Sequence, residues 1–315
     1  MRITAAIIQA EVQPTARATL ALSAERAREA AARGAGLIVF PETWLPGYPA
    51  WLDTCRDVAL WNWGPANQAY AAMAAQSVVV GQGELFEGLQ AIARDNEVVL
   101  VCGVTERIDA GPGRGTLYNA LLTLGPDGRL LNHHRKLVPT FSERLVWGPG
   151  DSAGLKAVAT PAGRVGGLVC WEHWMPLARY ALHESGEDVH VAVWPTVHEM
   201  HQVASRAHAF EGRCFVLAAG ALLRASAMPA GLEPHPEKVR SPDSLVLRGG
   251  SCIIAPNGKF LVEPVFDREA VLLAELDLDQ SRIEGFTRDV TGHYQRHDAF
   301  EFRVLPARRP PVIDD

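Results

Sequence analysis

The chain has 315 residues, 48% of them apolar, and a formal net charge of −6. That length supports a large core, and so mild an acidic excess argues against a nucleic-acid partner or an anionic membrane surface. The five cysteines are widely spaced with no C-x-x-C pair, which speaks against a disulfide framework or a zinc ribbon.

The opening residues turn polar at Gln9 and Glu11, so no signal peptide is expected. Residues 3–10 form a short apolar run that reads as a strand. Residues 16–33, rich in Ala, Glu and Arg, read as a helix, stopped by Gly34 and Gly36. Residues 37–40 are a buried strand closed by Pro41. A helix over 83–95 and a strand over 98–104 repeat the pattern. Strand 117–124 turns at Pro126-Asp127-Gly128 into 129–132, a hairpin. The second half reads as strand 165–170, helix 176–184, strand 189–194, helix 198–213 and strand 215–222. Residues 251–255 and 260–262 flank the Pro256-Asn257-Gly258 turn, and 271–276 is a last core strand. The proline-bearing stretch 225–248 reads as a surface loop. The longest apolar run, 214–223, is too short to span a bilayer. Alternating strands and helices mixed with hairpins predict an α/β protein with mixed sheets. No linker separates two cores, so one domain is expected over residues 1–305, with a disordered tail over 306–315. The expected location is the cytoplasm, where thiols stay reduced.

Three polar residues end or follow apolar strands: Glu42, Lys136 and Cys170. In α/β sheets, reactive groups gather where strands end and loops begin. Each has a plainer reading when taken singly. A cysteine ending an apolar strand is usually inert core, a glutamate after Phe-Pro is often a turn or cap residue, and a lysine after a hairpin is usually solvated. Only the fold can bring the three together.

The chain resembles the nitrilase superfamily over residues 2–302. Three motifs carry the resemblance: Phe40-Pro41-Glu42-Thr43-Trp44-Leu45-Pro46-Gly47-Tyr48-Pro49; His134-Arg135-Lys136-Leu137-Val138-Pro139-Thr140 followed by Glu143-Arg144 and Trp147-Gly148; and Gly166-Gly167-Leu168-Val169-Cys170-Trp171-Glu172. The resemblance implies a four-layer α-β-β-α sandwich and a catalytic triad of Glu42, Lys136 and Cys170, with Glu143 as a second carboxylate beside it. The run Cys170-Trp171-Glu172-His173-Trp174-Met175-Pro176-Leu177-Ala178-Arg179 is similar to the true nitrilase branch, as are Gly292-His293-Tyr294 and Asp298-Ala299-Phe300. His297 departs from the pattern, since proline is commoner there. The tail is short beside those that support spiral filaments in relatives, so long filaments are not expected. By the same resemblance, helices near 176–184 and 198–213 form a dimer face, implying a homodimer or larger assembly.

A nitrile carbon is a weak electrophile, and a thiolate is a nucleophile strong enough to attack it. In this reading Glu42 is the general base, and Lys136 supplies positive charge near the sulfur and the developing anion. The N–H of Trp171 is a second donor, exposed by a strand-to-helix elbow. The thioimidate formed takes up water and leaves as acid and ammonia or as amide. No step needs a metal or redox cofactor. His198 and His201 lack the helical spacing of a zinc pair, and the adjacent His133 and His134 point opposite ways on a strand. Of eight tryptophans, Trp44, Trp171, Trp174 and Trp194 lie near motifs or strand ends and, with His198, are expected to line a pocket for an aromatic nitrile; the plainer reading is core or interface anchors. An amidase or carbamoylase of the same superfamily is the alternative activity.

Overall fold

A computed structural model of the protein describes residues 1–305; the tail expected to be disordered lies outside the described residues. In chain order the elements are β1 (Arg2–Gln9), α1 (Ala16–Ala32), β2 (Leu37–Leu45), α2 (Trp51–Thr54), α3 (Gly64–Ala75), α4 (Glu84–Asp95), β3 (Val99–Arg107), β4 (Leu117–Leu124) and β5 (Leu130–Arg135). There follow β6 (Val158–Thr160), β7 (Gly163–Val169), α5 (Pro176–Glu184), β8 (Val189–Trp194), α6 (Glu199–Gly212), β9 (Phe215–Gly220), β10 (Leu222–Arg224), β11 (Leu245–Ile254), β12 (Phe260–Phe266), β13 (Ala270–Asp277) and α7 (Asp279–Gly285).

The strands form two mixed sheets. One has the order β13-β1-β2-β3-β4-β5, and the other β10-β11-β9-β8-β7-β6, with β12 on β11. The period-two side-chain alternation of each strand builds the layers. Ala5, Ile7, Leu37 and Val39 point between the sheets, against Val165, Val169, Val191 and Val193. Their neighbours Ala6, Ile8, Ile38 and Phe40 point outward, under Ala27 and Ala30 of α1 and Leu89 and Ile92 of α4. On the far side Leu168 packs under Ala178, Ala181 and Leu182 of α5. The result is a four-layer α-β-β-α sandwich, and central strands such as β2, β4, β8 and β9 are buried on both faces, which explains their near-continuous apolar runs.

Among the elements that differ from expectation, three stand out. The strand expected to close at Pro41 runs on to Leu45. It does so through a bulge: Phe40 pairs with Cys102 and Leu45 with Val104, so residues 41–44 stand opposite Gly103 alone. A proline is tolerated in such an interruption, where a ladder bond is already missing. Helix α3, with Pro65 in its first turn, lies in a stretch for which no helix was expected. Strand β11 begins inside the expected surface loop, at Leu245.

Candidate active site

The bulge in β2 carries Glu42. Thr43 takes a positive φ of 44°, which turns the chain sharply, and a side chain at Gly103 would collide with Pro41 O, Thr43 N and Glu42 Cα. Gly103 is therefore the residue that admits the bulge. Lys136 follows the last residue of β5, and its backbone N–H bonds Asn119 O at 2.8 Å. Glu143 lies in a single 3₁₀ turn, Phe141–Leu145, where its carboxylate caps the Thr140 N–H at 2.7 Å. Cys170 follows β7 directly, opening a 3₁₀ turn at Cys170–Trp174 with φ 55°.

These four segments converge. The reactive atoms of Glu42, Glu143 and Cys170 lie within 4.8 Å of one another. The Lys136 ammonium donates to Glu143 Oε2 at 2.6 Å and to Glu42 Oε1 at 3.3 Å. Tyr48 Oη donates to Glu143 Oε1 at 3.0 Å, and Asn119 Nδ2 to Glu42 Oε1 at 2.7 Å. Glu42 Oε2 is buried and has no hydrogen-bond partner among the described residues. One oxygen of Glu42 is thus held by Asn119 and Lys136 while the other is free to take a proton.

Burial, reinforced by Glu143, raises the Glu42 pKa from 4.5 to about 7, against the opposing pull of Lys136 and Asn119. Burial opposes the Lys136 ammonium, but the charges of Cys170, Glu42 and Glu143 outweigh it and hold its pKa above the ordinary lysine value. Burial pushes the Cys170 thiol well up, with Glu42 and Glu143 adding to the effect and Lys136 and the Trp171 N–H opposing it. The resting sulfur is therefore a thiol beside a carboxyl group poised near neutrality.

A third buried carboxylate sets the distance between the lysine and cysteine segments. Glu172 Oε1 accepts from the Leu137 N–H at 2.8 Å, and Oε2 from the Val169 N–H at 2.7 Å, while His134 Nε2 faces both oxygens. Burial would raise the Glu172 pKa, but His134 and the two backbone donors bring it below the ordinary value. Glu172 thus ties the end of β5 in one sheet to the end of β7 in the other.

A cavity of about 480 Å³ opens above Cys170 and Glu143. Trp171 and His198 line it, together with Tyr48, Phe141 and His201. The other three tryptophans are corrections to the expected pocket. Trp44 is fully buried in the outer layer, stacked on Phe40 with its Nε1 donating to Ser23 Oγ at 2.7 Å, because residue 44 of the bulged strand faces α1. Trp194 is also fully buried, stacked on His201 and His173 behind the cavity wall. Trp174 ends the turn after Cys170, is 38% exposed, and does not line the cavity. Sequence reasoning gave no role to Tyr48, Asn119, Glu172 or His173. Tyr48, Glu172 and His173 stood inside the quoted motifs, and Asn119 was readable as a lone amide in the apolar run 117–124.

Comparison with known proteins gives a consistent picture. The family profile described as carbon-nitrogen hydrolase matches residues 4–282. The chain is 36% identical over 310 residues to an aliphatic nitrilase of Sinorhizobium fredii, covering 98% of this chain and 97% of that one. It is 34% identical over 297 residues to an arylacetonitrilase of Trametes versicolor, covering 89% and 88% respectively. Among solved structures, Saccharomyces cerevisiae Nit3, described as a member of branch 10 of the nitrilase superfamily, superposes with a TM-score of 0.71 at 19% identity, covering 94% of this chain and 97% of that one; at that identity the likeness concerns the fold.

Proposed function

The chain belongs to the carbon-nitrogen hydrolase family, and from that premise we propose that it is a nitrilase, converting a nitrile and two waters into a carboxylic acid and ammonia through Cys170. The observation that carries this reading is the meeting of Cys170, Glu42 and Glu143 within 4.8 Å around the Lys136 ammonium. Glu42 takes the thiol proton as sulfur bonds to the nitrile carbon, and the nitrogen gains a proton to give a thioimidate. Water then adds, surrendering its proton to Glu42. Loss of ammonia leaves a thioester, and a second water releases the acid and restores the thiol. Expulsion of the thiol one step earlier releases an amide instead. Lys136 faces the negative charge that develops at each addition, in a site where burial strengthens the interaction. Glu143 holds Lys136 and is in turn held by Tyr48 and Thr140. Every step is a proton transfer, an addition or an elimination, so the scheme calls for no metal or redox cofactor.

The aromatic lining supports an aromatic or arylaliphatic nitrile as reactant, with Trp171 and His198 touching it. Product analysis by mass spectrometry on a mixed nitrile panel, run beside Cys170→Ala, tests the reading. Acid formation lost in the variant is expected. Turnover of amides but not of their paired nitriles would replace nitrilase by amidase, and turnover of small aliphatic nitriles alone would remove the aromatic preference.

The same reading takes residues 1–305 as one catalytic domain acting in the cytoplasm. No helix among the described residues is long and apolar enough to cross a membrane, and the five cysteines are free thiols. We further read the protein as a homodimer or larger assembly, supported by the exposed apolar side chains Leu177 on α5 and Met200, Val203 and Phe210 on α6. A monomer by light scattering at micromolar concentration would overturn that part.

A further inference from the structure

Behind the cysteine turn lies a buried polar array that the scheme above does not use. His173 Nδ1 bonds the carbonyl oxygen of Cys170 at 2.7 Å. His173 Nε2 meets His190 Nε2 at 2.9 Å, and His190 Nδ1 meets Glu187 Oε2 at 2.8 Å. Glu187 Oε1 is bonded by His208 Nε2 and faced by His183 Nδ1 at 3.3 Å and Cys214 Sγ at 3.7 Å. Each of these residues is buried. A side chain at Gly166 would meet Glu187, and one at Gly212 would meet the His183 ring, so both strand and helix leave room for the array.

Counting protons along the chain of bonds fixes its state. A carbonyl only accepts, so His173 Nδ1 carries a hydrogen. Burial, with the charges of His190 and His208, holds the His173 pKa well below its ordinary value. The ring is therefore neutral and its Nε2 accepts, so His190 Nε2 donates. Burial would raise the Glu187 pKa, but His190 and His208 outweigh it and hold it well below the ordinary carboxylate value. His190 Nδ1 faces this carboxylate, which accepts, so it donates to Glu187.

We infer that Glu187, His190 and His173 are positioning residues that aim the backbone of the nucleophile. The Cys170 carbonyl and the Trp171 N–H belong to one planar trans peptide and point opposite ways. A donor clamped on the oxygen therefore fixes the direction of the N–H, which faces the Cys170 sulfur. Cys170 sits at φ 55°, a conformation that a side-chain-bearing residue keeps only when its surroundings enforce it. The His173 bond supplies that enforcement, and the His190–Glu187 pair sets the tautomer that makes the bond.

This inference rests on Cys170 being the nucleophile, so its test includes a readout independent of nitrile turnover. The full-length protein and its variants are compared in kcat, in KM and in the rate of Cys170 alkylation by iodoacetamide at one pH. In His173→Leu the donor is gone; kcat is expected to fall about 50-fold with KM within about three-fold, and alkylation to slow about ten-fold. His173→Asn places an amide N–H near the position of Nδ1 and needs no proton chain, so it is expected to recover most of both rates. Glu187→Gln is expected to impair the protein with His173 present and to add less than about two-fold in the His173→Asn background, because the chain is then bypassed. Equal losses in His173→Leu and His173→Asn, or a Glu187→Gln effect of the same size in both backgrounds, would overturn the inference. If Glu187→Gln does not fold, the His173 pair decides alone. Failure of the unsubstituted protein to hydrolyse any nitrile would sink the proposed activity while leaving the alkylation result to judge the array.

Discussion

Replacing Glu42 by Gln should separate the stability of this protein from its activity in a pH-dependent way. In the folded chain the Glu42 pKa lies at about 7, against 4.5 for an ordinary glutamate, chiefly because the side chain is buried. The folded state therefore binds this proton more tightly than the unfolded state. The contribution of Glu42 to stability is full below pH 4.5 and is lost as pH rises through 7, at about 1.4 kcal/mol per pH unit. From 4.5 to about 7 the loss reaches about 3 kcal/mol. Glu42→Gln removes the titration and leaves Lys136 its 2.6 Å bond to Glu143. The variant should thus gain on the parent by about 3 kcal/mol between pH 5 and pH 8, which for a chain of this size is a relative rise in Tm of about 5 °C. Over the same range it should be inactive, since the oxygen that accepts the thiol proton has gone. Thermal unfolding of both proteins at pH 5 and pH 8, at one scan rate, makes the comparison. Parallel pH dependence of the two Tm values would refute the reasoning, because a carboxyl that titrates normally in the fold cannot be the buried base described here.

Other outcomes follow from the same geometry. The pH profile of kcat/KM should rise with pH through about 7 as Glu42 ionises; a profile flat from pH 5.5 to 8.5 would contradict it. Lys136→Met leaves Glu42 and Glu143 facing each other with their shared cation gone, and should cost about 3–5 kcal/mol of stability, read by urea unfolding, besides ending turnover. Gly103→Ala pushes a methyl into the backbone of the β2 bulge and should lower stability by about 2 kcal/mol and reduce kcat/KM at least about ten-fold by moving Glu42. Cys170→Ser should lose turnover by roughly 10³-fold or more while its Tm stays within about 2 °C of the parent, because one buried atom of similar size is exchanged.

Much of the frame was legible because the central strands are buried on both faces. Runs such as 189–194 and the helix 176–184 were read with the boundaries the structure gives, since apolar runs bounded by Gly, Pro and charge leave little choice. The placement of Lys136 and Cys170 just past strand ends was likewise readable, and the resemblance of the three motifs to the nitrilase superfamily implied that these two and Glu42 belong together. The course of β2 past Pro41 was not, because it depends on Gly103, a residue 61 positions away from Glu42 in the chain. The tryptophans misled for a related reason: proximity to a motif says nothing about which face a side chain takes. Residue 44 lies two places beyond Glu42 in the chain yet turns to α1 and Ser23, because the bulge breaks the strand's alternation. The buried histidines were invisible as a group, since His173, His183, His190 and His208 come from a turn, two helices and a strand.

Part of the cavity wall is carried by a different kind of backbone from the groups at its floor. Glu42, Lys136 and Cys170 sit on or next to strands that the rest of the sandwich immobilises, whereas Asp53, Lys238 and Leu245 reach the cavity from a short helix, an irregular stretch and the very start of β11. Under the proposed function, selectivity exercised at this rim is separable from reactivity. A directed library confined to those rim positions would sample differently shaped and charged nitriles without disturbing the proton inventory around the sulfur, and mutational drift along the same stretches would diversify the diet of related enzymes while their chemistry stayed put.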